Sequence, residues 1–296
     1  MIRLLLFFTS LFIYANSYEI NNYHFKSGCI ENNNTLEIVL REFEYKNKKF
    51  YLVVNPNTLK TQIINYNLIS KCPLDIYKTR YYKLLNYSIN NTKHPLQNDG
   101  ITKGKSGIYL TTDLCPSSKR GFEKRLYQSI MNYFKNPTPV TIFITKKWIQ
   151  KHYKEFCLLK KWQIENRLDI TWGNHTANHI YHKGLALNKN FVLSKEEHLK
   201  KDILDLEIEL IKNGVIPSVF FRFPGLVCNK KSLQIVYNLG LITIGSNAWL
   251  AKGEMPINGS IILVHGNKNE PKGVDIFLKL LKSGAIKRLD SIKDFR

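Results

Sequence analysis

His175-Thr176-Ala177-Asn178-His179 places two imidazoles at i and i+4. If the stretch is helical, both rings stand on one face a single turn apart, which suits two ligands on one divalent ion, most often zinc. Alone, the spacing fits two ordinary surface or core histidines equally well. Three further residues have the chemistry to serve such a site. Asp113, Arg222 and His265 are a carboxylate, a guanidinium and an imidazole, all chemically capable side chains. Each has a structural rival: Asp113 could cap the turn after its strand, His265 could be a satisfied core histidine, and Arg222 could be a surface ion pair. Against the last, Arg222 lies in the apolar run Phe220-Phe221-Arg222-Phe223-Pro224, which predicts burial with a partner. His182 falls out of phase with the histidine pair and reads as a solvated side chain.

Residues so far apart in the chain can meet only if the fold gathers them. From Gly107 onward strands and helices alternate, the pattern of a mostly parallel α/β arrangement. Strands are expected at Ile108–Thr112, Val140–Thr145, Leu168–Trp172, Ser218–Arg222, Leu241–Ile244 and Ile261–Val264. Helices are expected at Phe122–Lys135, Lys146–Lys161, 195–213, Lys230–Asn238 and Val274–Ser283, the third with Ser194 as its cap and Glu197 reaching back. Asp113, His175, Arg222 and His265 each come at or just past the C-terminal end of one of these strands. In a parallel sheet or barrel those ends share one face, where loops build active sites. Residues 18–100 alternate short apolar runs with Asn-rich turns and read as a small β-rich domain, followed by a polar linker from Asn90 to Ser106. Within that linker Gly100 to Ser106 imitates a phosphate-binding loop, but it has three intervening residues where four are needed, and it precedes a strand instead of opening a helix.

In order and spacing these residues resemble the polysaccharide deacetylases that share the NodB-homology domain, also called carbohydrate esterase family 4. Leu110-Thr111-Thr112-Asp113 resembles the first motif, Gly173-Asn174-His175-Thr176-Ala177-Asn178-His179 the second, and Phe221-Arg222-Phe223-Pro224-Gly225 the third. Ser246-Asn247-Ala248-Trp249 is similar to the fourth and Ile262-Leu263-Val264-His265 to the fifth. The resemblance implies a deformed (β/α) barrel of the NodB-homology type over 107–290, preceded by the small β-rich domain. It implies a metal, zinc being the expectation, held by His175 and His179, with Asp113 as general base, His265 as general acid and Arg222 orienting Asp113. It places Trp249, Leu263 and Pro224 around the substrate, and backbone N–H groups near Gly225 or Leu226 on the oxyanion. The reaction implied is removal of N-acetyl groups from a cell-wall or extracellular polysaccharide, peptidoglycan or an N-acetylglucosamine polymer. The same fold with an incomplete metal site would instead be a catalytically silent glycan-binding protein. The departures bear on that choice: many relatives carry a second acidic ligand where this chain has Leu114, and the fourth motif's acidic position holds Ser246 or Asn247.

A formal net charge of +21 favours anionic partners, including anionic cell-wall polymers, although lysines spread evenly among many Asn and Ile fit a biased codon pool equally well. No nucleic-acid-binding motif accompanies the charge, so a nucleic-acid partner is not expected. Residues 1–17 place Arg3 before the apolar run Leu4–Ile13 and end in Ala15-Asn16-Ser17, the form of an export signal and too short to span a bilayer. In an oxidising compartment the five cysteines could form two bridges, Cys29 with Cys72 and Cys115 with Cys228, leaving Cys157 as a buried small hydrophobe. Cys115 is otherwise the nearest soft metal ligand to Asp113, and a bridge to Cys228 would remove it from that role.

Overall fold

The computed structural model describes residues 19–32, 35–65, 69–91 and 96–295, so the segment read as an export signal lies outside the described residues. No helix among the described residues is long and apolar enough to cross a membrane.

The N-terminal strands are β1 (Asn21–Phe25), β2 (Cys29–Asn32), β3 (Thr35–Tyr45), β4 (Lys48–Val54) and β5 (Thr61–Ile64). They form one antiparallel sheet in the order β1-β3-β4-β5, with β2 also paired to β3. Lys46 and Asn47, both at positive φ (50° and 57°), make the two-residue turn between β3 and β4, whose backbone twist matches that of the flanking strands. Cys29 and Cys72 are disulfide-bonded. The region is not all strand, as its alternating pattern suggested. Helix α1 (Arg80–Asn90) buries Tyr81, Leu85 and Ser88, a helical spacing hidden in an Asn-rich stretch. The Tyr81 hydroxyl donates to the Gly240 carbonyl, fastening α1 to the larger sheet.

That larger sheet is built from β6 (Ile108–Leu114), β7 (Thr138–Ile144), β8 (Leu168–Asn174), β9 (Phe220–Phe221), β10 (Ile242–Thr243), β11 (Ala248–Trp249) and β12 (Ser260–His265). All pairings are parallel, in the order β10-β9-β8-β7-β6-β12-β11. Helices α2 (Lys124–Tyr133), α3 (Lys146–Lys151), α4 (Tyr153–Ile164), α5 (Leu199–Lys212), α6 (Lys230–Asn238) and α7 (Pro271–Lys282) connect the strands. Strands β10 and β11 stand at opposite edges, yet Thr243 and Ala248 are joined by a chain that reaches at most about 18 Å. A flat seven-stranded sheet would need about 29 Å, from six spacings of about 4.8 Å. The sheet must therefore curl, giving the deformed barrel that the motifs imply.

Polar residues 96–103, expected as a free linker, are built into this barrel. Ile101 is fully buried and pairs in parallel with Ile244, while Lys103 pairs with Ser260 on β12. The segment thus occupies the seam between the two sheet edges, which explains how a polar stretch came to be ordered: its backbone groups pair with strand backbone. Two helix expectations also change. The run 146–161 is two helices broken at His152, whose ring contacts the Ser117 carbonyl. Helix α5 starts at Leu199, not 195, because residues 191–198 wind as a 3-10 turn in which the Ser194 hydroxyl bonds Phe191 and caps nothing.

Candidate active site

Strand pairing brings the distant motifs together. His265 at the end of β12 lies in register with Asp113 on β6, and the two strands are hydrogen-bonded neighbours. Arg222, just past β9, is fully buried and crosses the barrel interior. Its Nη1 donates to Asp113 Oδ1 at 2.7 Å and to Thr111 Oγ1 at 2.8 Å, its Nη2 to the Gly245 carbonyl at 2.9 Å, and its plane lies 4.2 Å from the Phe143 ring. Every guanidinium nitrogen thereby has a partner, Nε reaching the Ile244 carbonyl. Burial nevertheless pulls the Arg222 pKa below its usual value, against the opposing charge of Asp113. With Oδ1 taken by Arg222, Asp113 turns Oδ2 toward His175, 3.8 Å from its Nε2.

The histidine pair is not helical. His175 follows β8 directly, Thr176 and His179 adopt left-handed φ of 66° and 47°, and the chain bends so that the two rings approach to 4.8 Å between centroids. Asn174 Oδ1 holds the Thr176 N–H, and Asp202 on α5 accepts from the Asn178 backbone and side-chain amides, bracing the bend from below. His175 Nδ1 stands 2.8 Å from the Arg222 carbonyl, an atom that can only accept. The imidazole therefore carries its proton on Nδ1 and presents the Nε2 lone pair to the site, the outer-shell arrangement typical of a metal ligand.

Cys115 completes a cluster. It is not bridged to Cys228, whose thiol instead lies 3.7 Å from Asp99 Oδ2. Its Sγ is 3.5 Å from His175 Nε2, and the donor atoms of Cys115, His175 and His179 all fall within 4.8 Å of one another. Burial alone would raise the thiol pKa, but the imidazoles of His179 and His175 outweigh it and hold Cys115 well below the usual thiol range. A donor set of one readily ionised thiol and two imidazoles, with one imidazole's tautomer already set, fits a divalent metal with N/S preference and leaves room for a fourth ligand. The third candidate donor thus comes from Cys115, one residue after Leu114.

His265 faces the same cluster. Its Nδ1 is 2.8 Å from Glu270 Oε2, which also accepts from Trp249 Nε1 at 2.8 Å. Burial lowers the His265 pKa, but hydrogen bonds with Cys115 and Glu270 carry it well above its usual value. Cys115, His179, His265 and Glu270 open onto one cavity of about 610 Å³ whose other walls include Lys147, Asn178, Tyr181 and His182. Tyr181, 59% exposed and packed 5.3 Å from the Phe191 ring, offers that cavity an apolar face. His182, read as merely solvated, is exposed and lines it as well. Trp249, Leu263 and Pro224 are not among the lining residues. Leu263 and Pro224 are buried, and Trp249 stands behind His265 at 5.9 Å, holding Glu270. The Leu226 N–H donates to the Phe223 carbonyl and so is already engaged. Ser246 and Asn247, at the fourth motif, bond the backbone of β12 and serve the sheet.

Three residues of the site lay outside the motif reading. Cys115 was legible as a soft ligand two positions past Asp113 but was compromised by its possible bridge. Glu270 and Asp202 gave no signal, since their roles arise only when α5 and the loop after β12 fold against the strand ends.

Residues 100–244 match the polysaccharide deacetylase family and residues 26–94 match the RP012 protein N-terminal domain. Among solved structures, a family 4 carbohydrate esterase from Bacillus anthracis is 19% identical, with a TM-score of 0.49 over 73% of this chain and 90% of its own. PdaA of Bacillus subtilis, also a family 4 carbohydrate esterase, is 18% identical, with a TM-score of 0.46 over 62% and 80%. A carbohydrate esterase family 4 pseudoenzyme from Bacillus anthracis is 12% identical, with a TM-score of 0.45 over 91% and 88%. The stretch that holds the histidine pair, residues 100–244, is thus the part of the chain that matches the polysaccharide deacetylase family.

Proposed function

We propose that the chain is an exported, zinc-dependent hydrolase that removes N-acetyl groups from an N-acetylated polysaccharide, peptidoglycan or an N-acetylglucosamine polymer. The observation that carries this reading is the convergence of Cys115, His175 and His179, with the buried Asp113 3.8 Å from His175 and with Cys115, His179 and His265 opening onto one cavity. Export rests on the form of residues 1–17.

A divalent metal on the three donors supplies a polarised acyl carbonyl and an acidified water. The chain's own residues do the rest. Asp113, pinned through Oδ1 by Arg222, has Oδ2 left to take the water's proton as its oxygen attacks the acyl carbon. As the carbon–nitrogen bond breaks, the departing amine is too basic to leave unprotonated. His265 is built to supply that proton, because its Nδ1 is tied to Glu270 and its high proton affinity keeps it charged. Acetate and a free amine result. Zinc is favoured over magnesium or calcium because the donors are sulfur and nitrogen, not oxygen.

Acetate release from acetylated glucosamine oligomers is the decisive assay. A chelator should abolish release and added zinc should restore it, while His175→Ala should be inactive with or without zinc. Oligomers retained by the protein with no acetate formed at any zinc concentration would replace this reading with that of a silent glycan binder.

A further inference from the structure

The reacting cavity has a neighbour. A second hollow of about 390 Å³ is lined by Pro116, Ser117, Ser118, Lys147 and Lys151, and it shares Pro116 and Lys147 with the first. The two hollows therefore adjoin along a wall at the start of α3, and together they make one groove. Lys147 and Lys151 are i and i+4 on that helix, so both side chains leave the same face, and both are exposed. Just beyond Ser118 in the chain, the Lys119 ammonium donates to the Lys268 carbonyl and that of Lys268 to the Arg120 carbonyl. Among the described residues no ion pair ties Lys147, Lys151, Lys119 or Lys268 to a carboxylate. Glu155 approaches Lys268 beside Gly121 without pairing, and Glu270 is occupied by His265 and Trp249.

A groove with a reacting cavity at one end and unneutralised cations along the other is a poor fit for a neutral polymer and a good one for a charged polymer. We propose that the substrate chain runs from the reacting cavity into the Ser117–Lys151 hollow, and that the sugar unit lodged there bears a carboxylate or phosphate held by Lys147 and Lys151. The Ser118 hydroxyl, exposed at the same wall, is placed to bond that unit's hydroxyls or anionic oxygens. This deepens the proposed function and rests on it for which group reacts, but the charge preference belongs to the groove.

Binding, read separately from turnover, tests it. Three acetylated oligomers of equal length are titrated against the full chain by calorimetry. One is neutral poly-N-acetylglucosamine, one alternates N-acetylglucosamine with glucuronic acid, and one carries phosphate monoesters. One or both charged oligomers should bind roughly three- to tenfold more tightly than the neutral one, the range expected for two exposed ion pairs, and which of them does so identifies the anion. The advantage should shrink as salt rises. In Lys147→Gln/Lys151→Gln it should vanish, while Lys60→Gln/Lys279→Gln, removing the same charge from other faces, should retain it. Lys151→Gln alone should show an intermediate preference, and unchanged thermal unfolding of each variant establishes its fold. Equal binding of neutral and charged oligomers, or a preference surviving the 147/151 double substitution, overturns the proposal. A preference lost in that variant without acetate release from any oligomer would uphold the groove and defeat the hydrolase reading.

Discussion

Cys115→Ala should purify without stoichiometric zinc and release no acetate, whereas Asp113→Asn should keep its zinc and release acetate about 10²–10⁴ more slowly, the usual contribution of a positioned general base. The contrast follows from which atoms face which partner. Cys115 is one of three donors within 4.8 Å of one another, and Asp113 is not among them; its Oδ1 is committed to Arg222. Losing an outer-shell partner of a metal ligand commonly costs 10- to 100-fold in affinity, so losing a ligand outright should cost more than roughly 100-fold. Metal analysis after gel filtration separates the two variants, and cobalt substitution adds a direct view, because only a thiolate ligand gives sulfur-to-cobalt charge transfer. If Cys115→Ala retained both the metal and that absorption, sulfur would not be a ligand.

Arg41→Met is expected to lower stability by about 3–5 kcal/mol, the cost of stranding one member of a buried pair. Arg41 is fully buried on β3, and its Nε and Nη2 grip the two carboxylate oxygens of Glu207 on α5 at 2.8 and 2.9 Å. The same carboxylate accepts from the Tyr23 hydroxyl at 2.8 Å, and Arg41 Nη1 closes onto the carbonyls of Leu40 and Leu239. Removing the cation strands the buried Glu207 carboxyl group without its guanidinium partner. Arg41→Met/Glu207→Met removes both charges and should recover much of the loss, since apolar replacements of a whole buried pair are often tolerated. Denaturant midpoints of the single and double variants decide the matter. A double variant as unstable as the single would mean that packing, not charge, is at stake. Because α5 also carries Asp202, which braces the Asn178–His179 bend, loss of the pair should reach the site as weaker metal retention.

The barrel and the positions of its site residues were legible because parallel strands announce themselves as apolar runs and place whatever follows them on one face. Asp113, His175, Arg222 and His265 needed no more than that. The reason the histidines meet was not legible. An i, i+4 pair suggests a helix, and only the left-handed Thr176 and His179, invisible in residue types that rarely adopt such φ, reveal a bent loop. Cys115 was ambiguous for a different reason: a thiol two residues from the base can be a ligand or a bridge, and only the distance to Cys228's own partner Asp99 separates the two. Glu270 and Asp202 belong to contacts between elements far apart in sequence, for which no local pattern exists. Helix α1 was masked by its Asn and Tyr content, which reads as turn and strand until Tyr81 finds Gly240.

Ile101 and Lys103, stitched to Ile244 on one side and Ser260 on the other, make the polar stretch after α1 a staple for the whole barrel. A fragment trimmed to begin at the first strand of the larger sheet would carry an open flank with bare backbone donors and acceptors, the kind of edge that recruits other chains. The larger-sheet half of this molecule therefore has its true start upstream of Gly107, inside what composition marks as a spacer, and any excised version should include those residues to remain soluble.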